Sequence, residues 1–94
     1  MIEIEFGPRL LKTLRRLGPE IHAATEKQLA KISADFGNPH AHGGLGLRKI
    51  GPRAYEARVG LEWRLVLIHH RERLLVVNVM NHDEVRRWLK GQSK

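Results

Sequence analysis

The apolar residues change period part-way along the chain, and that switch narrows the folds open to it. Leu10, Leu11, Leu14 and Leu17 recur at helical spacing, and so does a second stripe of Ile21, Thr25, Leu29, Ile32 and Phe36. Past residue 45 the pattern becomes that of strands. Tyr55, Ala57 and Val59 alternate with Glu56 and Arg58. Trp63 to Ile68 is nearly all apolar after Arg64, and Leu74 to Met80 is rich in valine. Helical segments followed by strands joined through short connections place helices on one face of a mainly antiparallel sheet, an α+β architecture. The 94 residues suffice for a single domain spanning 1–94.

Local signals mark where each element starts and stops. Ile2, Ile4 and Phe6 alternate with Glu3 and Glu5, the pattern of a half-buried N-terminal strand, and Gly7-Pro8 ends it. Pro8 is expected at the first position of helix one. Gly18-Pro19 separates that helix from a second, expected over Pro19 to Phe36, and the tight break makes the two an antiparallel hairpin. Gly37-Asn38-Pro39 stops the hairpin, and the glycine-rich run to Gly46 is expected to be a turn-like hinge. Four strands follow, near residues 45–50, 55–59, 63–68 and 74–80, with a turn at Glu72-Arg73. Trp63 to Ile68 is expected to be buried on both faces. The last element is a helix. Asn81 and Glu84 have capping-box spacing, and Met80 and Val85 that of a hydrophobic staple. The expected order is β-α-α-β-β-β-β-α, with the hairpin packed on a curved sheet of four to five strands.

Charge limits the partners. The formal net charge is +7, and it is uneven: residues 1–44 hold six Lys or Arg and five acids, whereas residues 45–94 hold eleven and five. Such a half suits a polyanionic or acidic partner. The chain has no cysteine, which excludes disulfides, a thiolate nucleophile and a Cys-based zinc site. No apolar run of ~18 residues exists to span a membrane. The acidic, alternating start lacks the features of a secretion signal, so the expected location is the cytoplasm.

Two residue sets have chemistry to offer. The first is cationic: Arg48, Lys49, Arg58 and Arg64 fall on the strands. If Tyr55, Ala57 and Val59 face the helices, Arg58 faces away onto an open sheet surface. Guanidinium groups gathered there would hold phosphates bidentately and stabilise charge developing in RNA cleavage. Cross-strand pairing of Arg58 or Arg64 with Glu56 or Glu62 is the competing arrangement. Arg86 on the last helix is expected to join this set, so that Arg48, Lys49, Arg58, Arg64 and Arg86 converge on one face. The second set is histidine, six in all. His82 stands beside the N-terminus of the last helix, where the dipole favours a neutral imidazole able to act as a base. His40 and His42 lack further ligands at metal-site spacing, so no metal is expected. His69 and His70 end a strand and point to opposite faces. Gly43-Gly44-x-Gly46 lacks the Lys-Ser/Thr of a phosphate-binding loop. With few aromatics there is no stacking platform for RNA.

The runs Leu47-Arg48-Lys49-Ile50, Tyr55-Glu56-Ala57-Arg58-Val59-Gly60, Trp63-Arg64-Leu65-Val66 and Val79-Met80-Asn81-His82-Asp83-Glu84-Val85 together resemble the RelE/ParE superfamily of toxins from bacterial type II toxin–antitoxin modules. The resemblance covers nearly the whole chain and implies the same element order. It implies one of two activities: metal-independent, ribosome-dependent mRNA cleavage by RelE-like members, or poisoning of DNA gyrase by ParE-like ones. Either is neutralised by a cognate antitoxin, expected here to carry an acidic amphipathic segment. By position, Arg58 matches a basic residue of the active surface and Arg64 the arginine at the scissile phosphate. His82 falls in an H-x-x-V segment that contributes to nuclease sites. Arg86 stands where many nuclease members have a tyrosine, and Glu56 where a second lysine often occurs. The implied function is an mRNA endoribonuclease with catalytic Arg58, Arg64, His82 and Arg86, RNA-binding Arg48, Lys49 and Arg58, and no cofactor. A gyrase inhibitor and a non-catalytic basic binding module remain open alternatives.

Overall fold

The computed structural model describes residues 2–92, with residues 39–41 described through their backbone alone. The order is β1 (Glu3–Phe6), α1 (Leu10–Leu17), α2 (Pro19–Asp35), α3 (Pro39–Leu45), β2 (Leu47–Lys49), β3 (Ala54–Val59), β4 (Trp63–His70), β5 (Arg73–Asn81) and α4 (His82–Gln92). This is an α+β domain around one mixed sheet of five strands in the order β1-β5-β4-β3-β2. The last four strands form an antiparallel meander, and β1 joins β5 in parallel.

Alternation along β3 assigns the two faces. Ala57 and Val59 are buried against the hairpin side, together with Leu65, Leu67, Leu74, Val76 and Val79 from the neighbouring strands. The hairpin supplies Leu10, Leu14 and Ile32, with Leu17, Ile21, Leu29 and Phe36 half-buried at the margin. Ile32 and Thr25 are fully buried, so the α2 stripe expected from its spacing is the one that packs. Leu65, Val66 and Leu67 are all 0% exposed, as a strand covered on both faces requires.

The second face is covered by α4, through Val85, Trp88 and Leu89 on Val66, Met80, Val77 and Ile50. The capping box forms as spaced: the Asn81 N–H donates to Glu84 Oε1 at 2.9 Å, and the Glu84 N–H donates to Asn81 Oδ1 at 2.9 Å. Met80 and Val85, the staple pair, are both buried. Because α4 starts beside Met80, the partner of Arg64, and reaches Ile50, Ala54 and Ile68 with Trp88 and Leu89, it crosses this face diagonally.

Several expectations needed correction. The 37–46 run contains a helix, α3, rather than a hinge. Pro39 opens it, and Gly46 closes it at φ 67, a left-handed end that glycine adopts without strain. Helix one begins at Leu10, leaving Pro8 in the preceding turn. The β4–β5 turn falls at Arg71-Glu72, with Arg71 at φ 58, so Arg73 belongs to β5. A register shift between Val66 and Leu67 skips Val77, which lets Val77 pack beneath α4. Phe6 is 61% exposed and does not share the burial of Ile2 and Ile4.

Asn81→Ala removes one half of the reciprocal cap and is expected to cost about 1 kcal/mol in urea unfolding. An unchanged midpoint would show that burial of Val85, Trp88 and Leu89 alone holds α4.

Candidate functional site

The uncovered corner of the second face carries the charge. Register places Arg58 directly opposite Arg64, Glu56 opposite Val66, and Arg48 opposite Glu56. These side chains therefore project from one face in adjoining rows. Arg48, Glu56, Arg58 and Arg64 line a cavity of about 110 Å³ together with Gly46. Arg58 is exposed, as expected from its alternation with Ala57 and Val59. Two arginines directly opposite one another repel, and the sheet holds them there by register.

Glu56 relieves part of that repulsion. It is 7% exposed although charged, and sits at the centre of the group. Arg64 Nε donates to Glu56 Oε2 at 3.1 Å, and Arg48 Nη2 lies 3.6 Å from the same oxygen. The Arg64 and Glu56 side chains are 19% and 10% exposed, whereas Arg48 is 71% exposed. The inner pair is thus largely shielded from water and the outer one is screened by it. Of the pairings open from sequence, Arg64 with Glu56 is the one that forms, as diagonal neighbours across β3 and β4. One donor is left over: among the described residues, Arg64 Nη1 is buried without a hydrogen-bond partner. A buried guanidinium N–H without an acceptor is costly.

The scaffold under this corner is built from both halves of the chain. Gln28 on α2 donates through Nε2 to the Leu45 carbonyl and, at 3.4 Å, to the Arg58 carbonyl. One amide therefore joins the end of α3 to β3 at the residue bearing the exposed arginine. A Cβ at Gly46 would lie 3.7 Å from Arg58 Cβ, so the left-handed turn into β2 passes close beneath the site.

The remaining expected site residues do not enter the cavity lining. Lys49 pairs with Tyr55, which places it on the hairpin side of the sheet, away from Arg48, Arg58 and Arg64. Its inclusion in one converging face is corrected by that register. His82 and Arg86 lie exposed on α4 and are not among the cavity-lining residues. Four residues apart, they share one helix face, and His82 follows directly on Asn81, at the Arg64 end of the sheet. The expected five-residue convergence reduces to Arg48, Arg58 and Arg64 around Glu56, with His82 and Arg86 on the adjoining helix.

His42 and His69 belong to a separate group around Phe36, while His22 on α2 pairs with Glu26 at 3.5 Å. His42 stacks on Phe36 with ring centres 5.4 Å apart, and its Nε2 accepts a 3.0 Å bond from the Gly37 N–H. His69 meets the Phe36 ring edge-on at 4.9 Å on the hairpin side. His70 lies 3.4 Å from Arg53 through Nδ1. Among the described residues no three His, Asp or Glu side chains gather to hold a metal. The side chain of His40 lies outside the described residues. Among the described residues no helix is long and apolar enough to cross a membrane.

No family model matches the chain, and no curated protein matches it.

Unequal shielding gives unequal energies. Glu56→Ala strips the counter-charge from half-buried Arg64 and is expected to destabilise by about 2–4 kcal/mol in urea unfolding. Arg48→Ala is expected to cost no more than about 1 kcal/mol. Equal losses would contradict the placement of Glu56 as chiefly the partner of Arg64.

Proposed function

We infer that the chain is the toxin of a type II toxin–antitoxin module of the RelE/ParE kind, an mRNA endoribonuclease that acts on the ribosome in the bacterial cytoplasm. The observation that carries this reading is the facing pair Arg58 and Arg64 on the uncovered corner of the sheet, with a buried Arg64 donor that lacks an acceptor. The element order and the four sequence runs that resemble this superfamily support it.

In this reading the two arginines grip the scissile phosphodiester and stabilise the extra negative charge of the transition state. Cleavage by the 2′-hydroxyl needs a base for that hydroxyl and an acid for the departing 5′-oxygen. His82 takes one of those roles, and Arg86, on the same face of α4, assists as a second charge. Arg48 contacts flanking phosphate at the rim. Lys49, on the opposite face, has no part in the chemistry. No step calls for a metal or cofactor. The partner that silences the toxin is a cognate antitoxin whose acidic amphipathic segment lies over the arginine corner and the hairpin.

The Glu56 contact to Arg64 favours a second reading, because an arginine already engaged by a carboxylate suits binding without cleavage. A gyrase inhibitor of the ParE kind fits that case. Induced expression of the chain without antitoxin separates the two. The nuclease reading expects rapid loss of translation and new mRNA ends, abolished in Arg64→Ala and reduced at least about 100-fold in His82→Ala. Growth arrest that persists in both variants, or an SOS response with intact mRNA, would overturn it.

A further inference from the structure

Glu56 occupies an unusual position for a carboxylate: it is buried inside the cationic corner that a phosphate would enter. Three guanidinium groups and one carboxylate line the same cavity, so the site carries a net charge of about +2 rather than +3. The carboxylate engages Arg64 through Nε; Nη1 is buried without a partner, and the 19% of the side chain that stays exposed is what a group in the cavity can reach. With its Nε held, Arg64 cannot swing freely, and the cavity of about 110 Å³ has room for one compact group.

We propose that Glu56 is a built-in counter-ion that clamps Arg64 and holds down the affinity of the Arg58–Arg64 slot for a single phosphodiester group. The proposal rests on the phosphate-binding reading above, and adds to it a residue that works against binding. Two effects of the carboxylate act in opposite directions. Through the Nε bond it orients Arg64 toward the phosphate. Through its charge, next to the phosphate, it repels the ligand that Arg64 attracts. A bound phosphodiester takes the η edges of Arg58 and Arg64 while the Nε contact persists. Such a site releases its strand readily, which suits an enzyme that must leave one phosphate to act on another.

Glu56→Gln separates the two effects. The amide oxygen still accepts from Arg64 Nε, and the charge is gone. Binding is measured by fluorescence anisotropy with a labelled single-stranded DNA oligonucleotide, which has no 2′-hydroxyl and so reports the slot without cleavage. Glu56→Gln is expected to tighten binding about three- to tenfold. It is also expected to steepen the salt dependence, by up to about 0.7 in the slope of log K against log salt, because one more cation is released. A merely structural Glu56 would leave that slope unchanged. Arg58→Ala and Arg64→Ala are expected to weaken binding at least about tenfold.

Unchanged or weaker binding by Glu56→Gln, with both arginine variants impaired, overturns the counter-ion role and leaves the phosphate-binding reading standing. Wild-type binding by both arginine variants overturns the two together. Arginine side-chain NMR of the unaltered chain tests the clamp even if Glu56→Gln does not fold. The Arg64 Nε–H signal is expected to stay protected in the free and bound protein while the η signals of Arg58 and Arg64 shift. Loss of Nε–H protection on binding would overturn the clamp.

Discussion

Burial of the central strands on both faces is the constraint on which the rest of the molecule depends. Leu65, Val66 and Leu67 are fully buried in sequence, so successive side chains must meet a covering layer on opposite sides. The hairpin of α1 and α2 covers one side. On the other side, α4 has eleven residues, about three turns, and crosses the sheet diagonally. What it cannot reach is the corner where β2, β3 and β4 present Arg48, Arg58 and Arg64. The cationic corner is thus a consequence of how the core is closed.

That geometry explains why the charge in the second half of the chain is locally specific. Register decides which cations meet. A shift of one residue would exchange Arg58 for Ala57 and turn the apolar set toward water, at the cost of several buried side chains. The same rule excludes Lys49 despite its place beside Arg48. Glu56, two residues from Arg58 and opposite Arg48, is brought into the group by the same alternation, and its pairing with Arg64 makes the facing arginines tolerable.

Much of this was legible in the residues themselves. The period switch, the β3 alternation and the reciprocal Asn81–Glu84 spacing each rest on local physics that tertiary packing leaves intact. Helix α3 was illegible because Gly43 and Gly44 have the lowest helix propensity short of proline, and packing against α2 and β2 overrides it. The skip at Val77 was hidden because apolar β4 and β5 offer no alternation to reveal it. The face occupied by Lys49 depended on the phase of a three-residue strand, too short to carry a pattern of its own. Glu56 was visible as a pairing partner for Arg64, but its burial inside the cavity needed all three strands in register.

The account is tested most directly by a crystal structure of the chain with a short RNA bearing one 2′-deoxy nucleotide at the cleavage position. It predicts a backbone phosphate seated between Arg58 and Arg64, within hydrogen-bonding distance of their η nitrogens, with His82 beside the scissile bond. An RNA bound instead along the exposed Arg9, Lys12, Arg15 and Arg16 of the hairpin, with the sheet corner unoccupied, would contradict it.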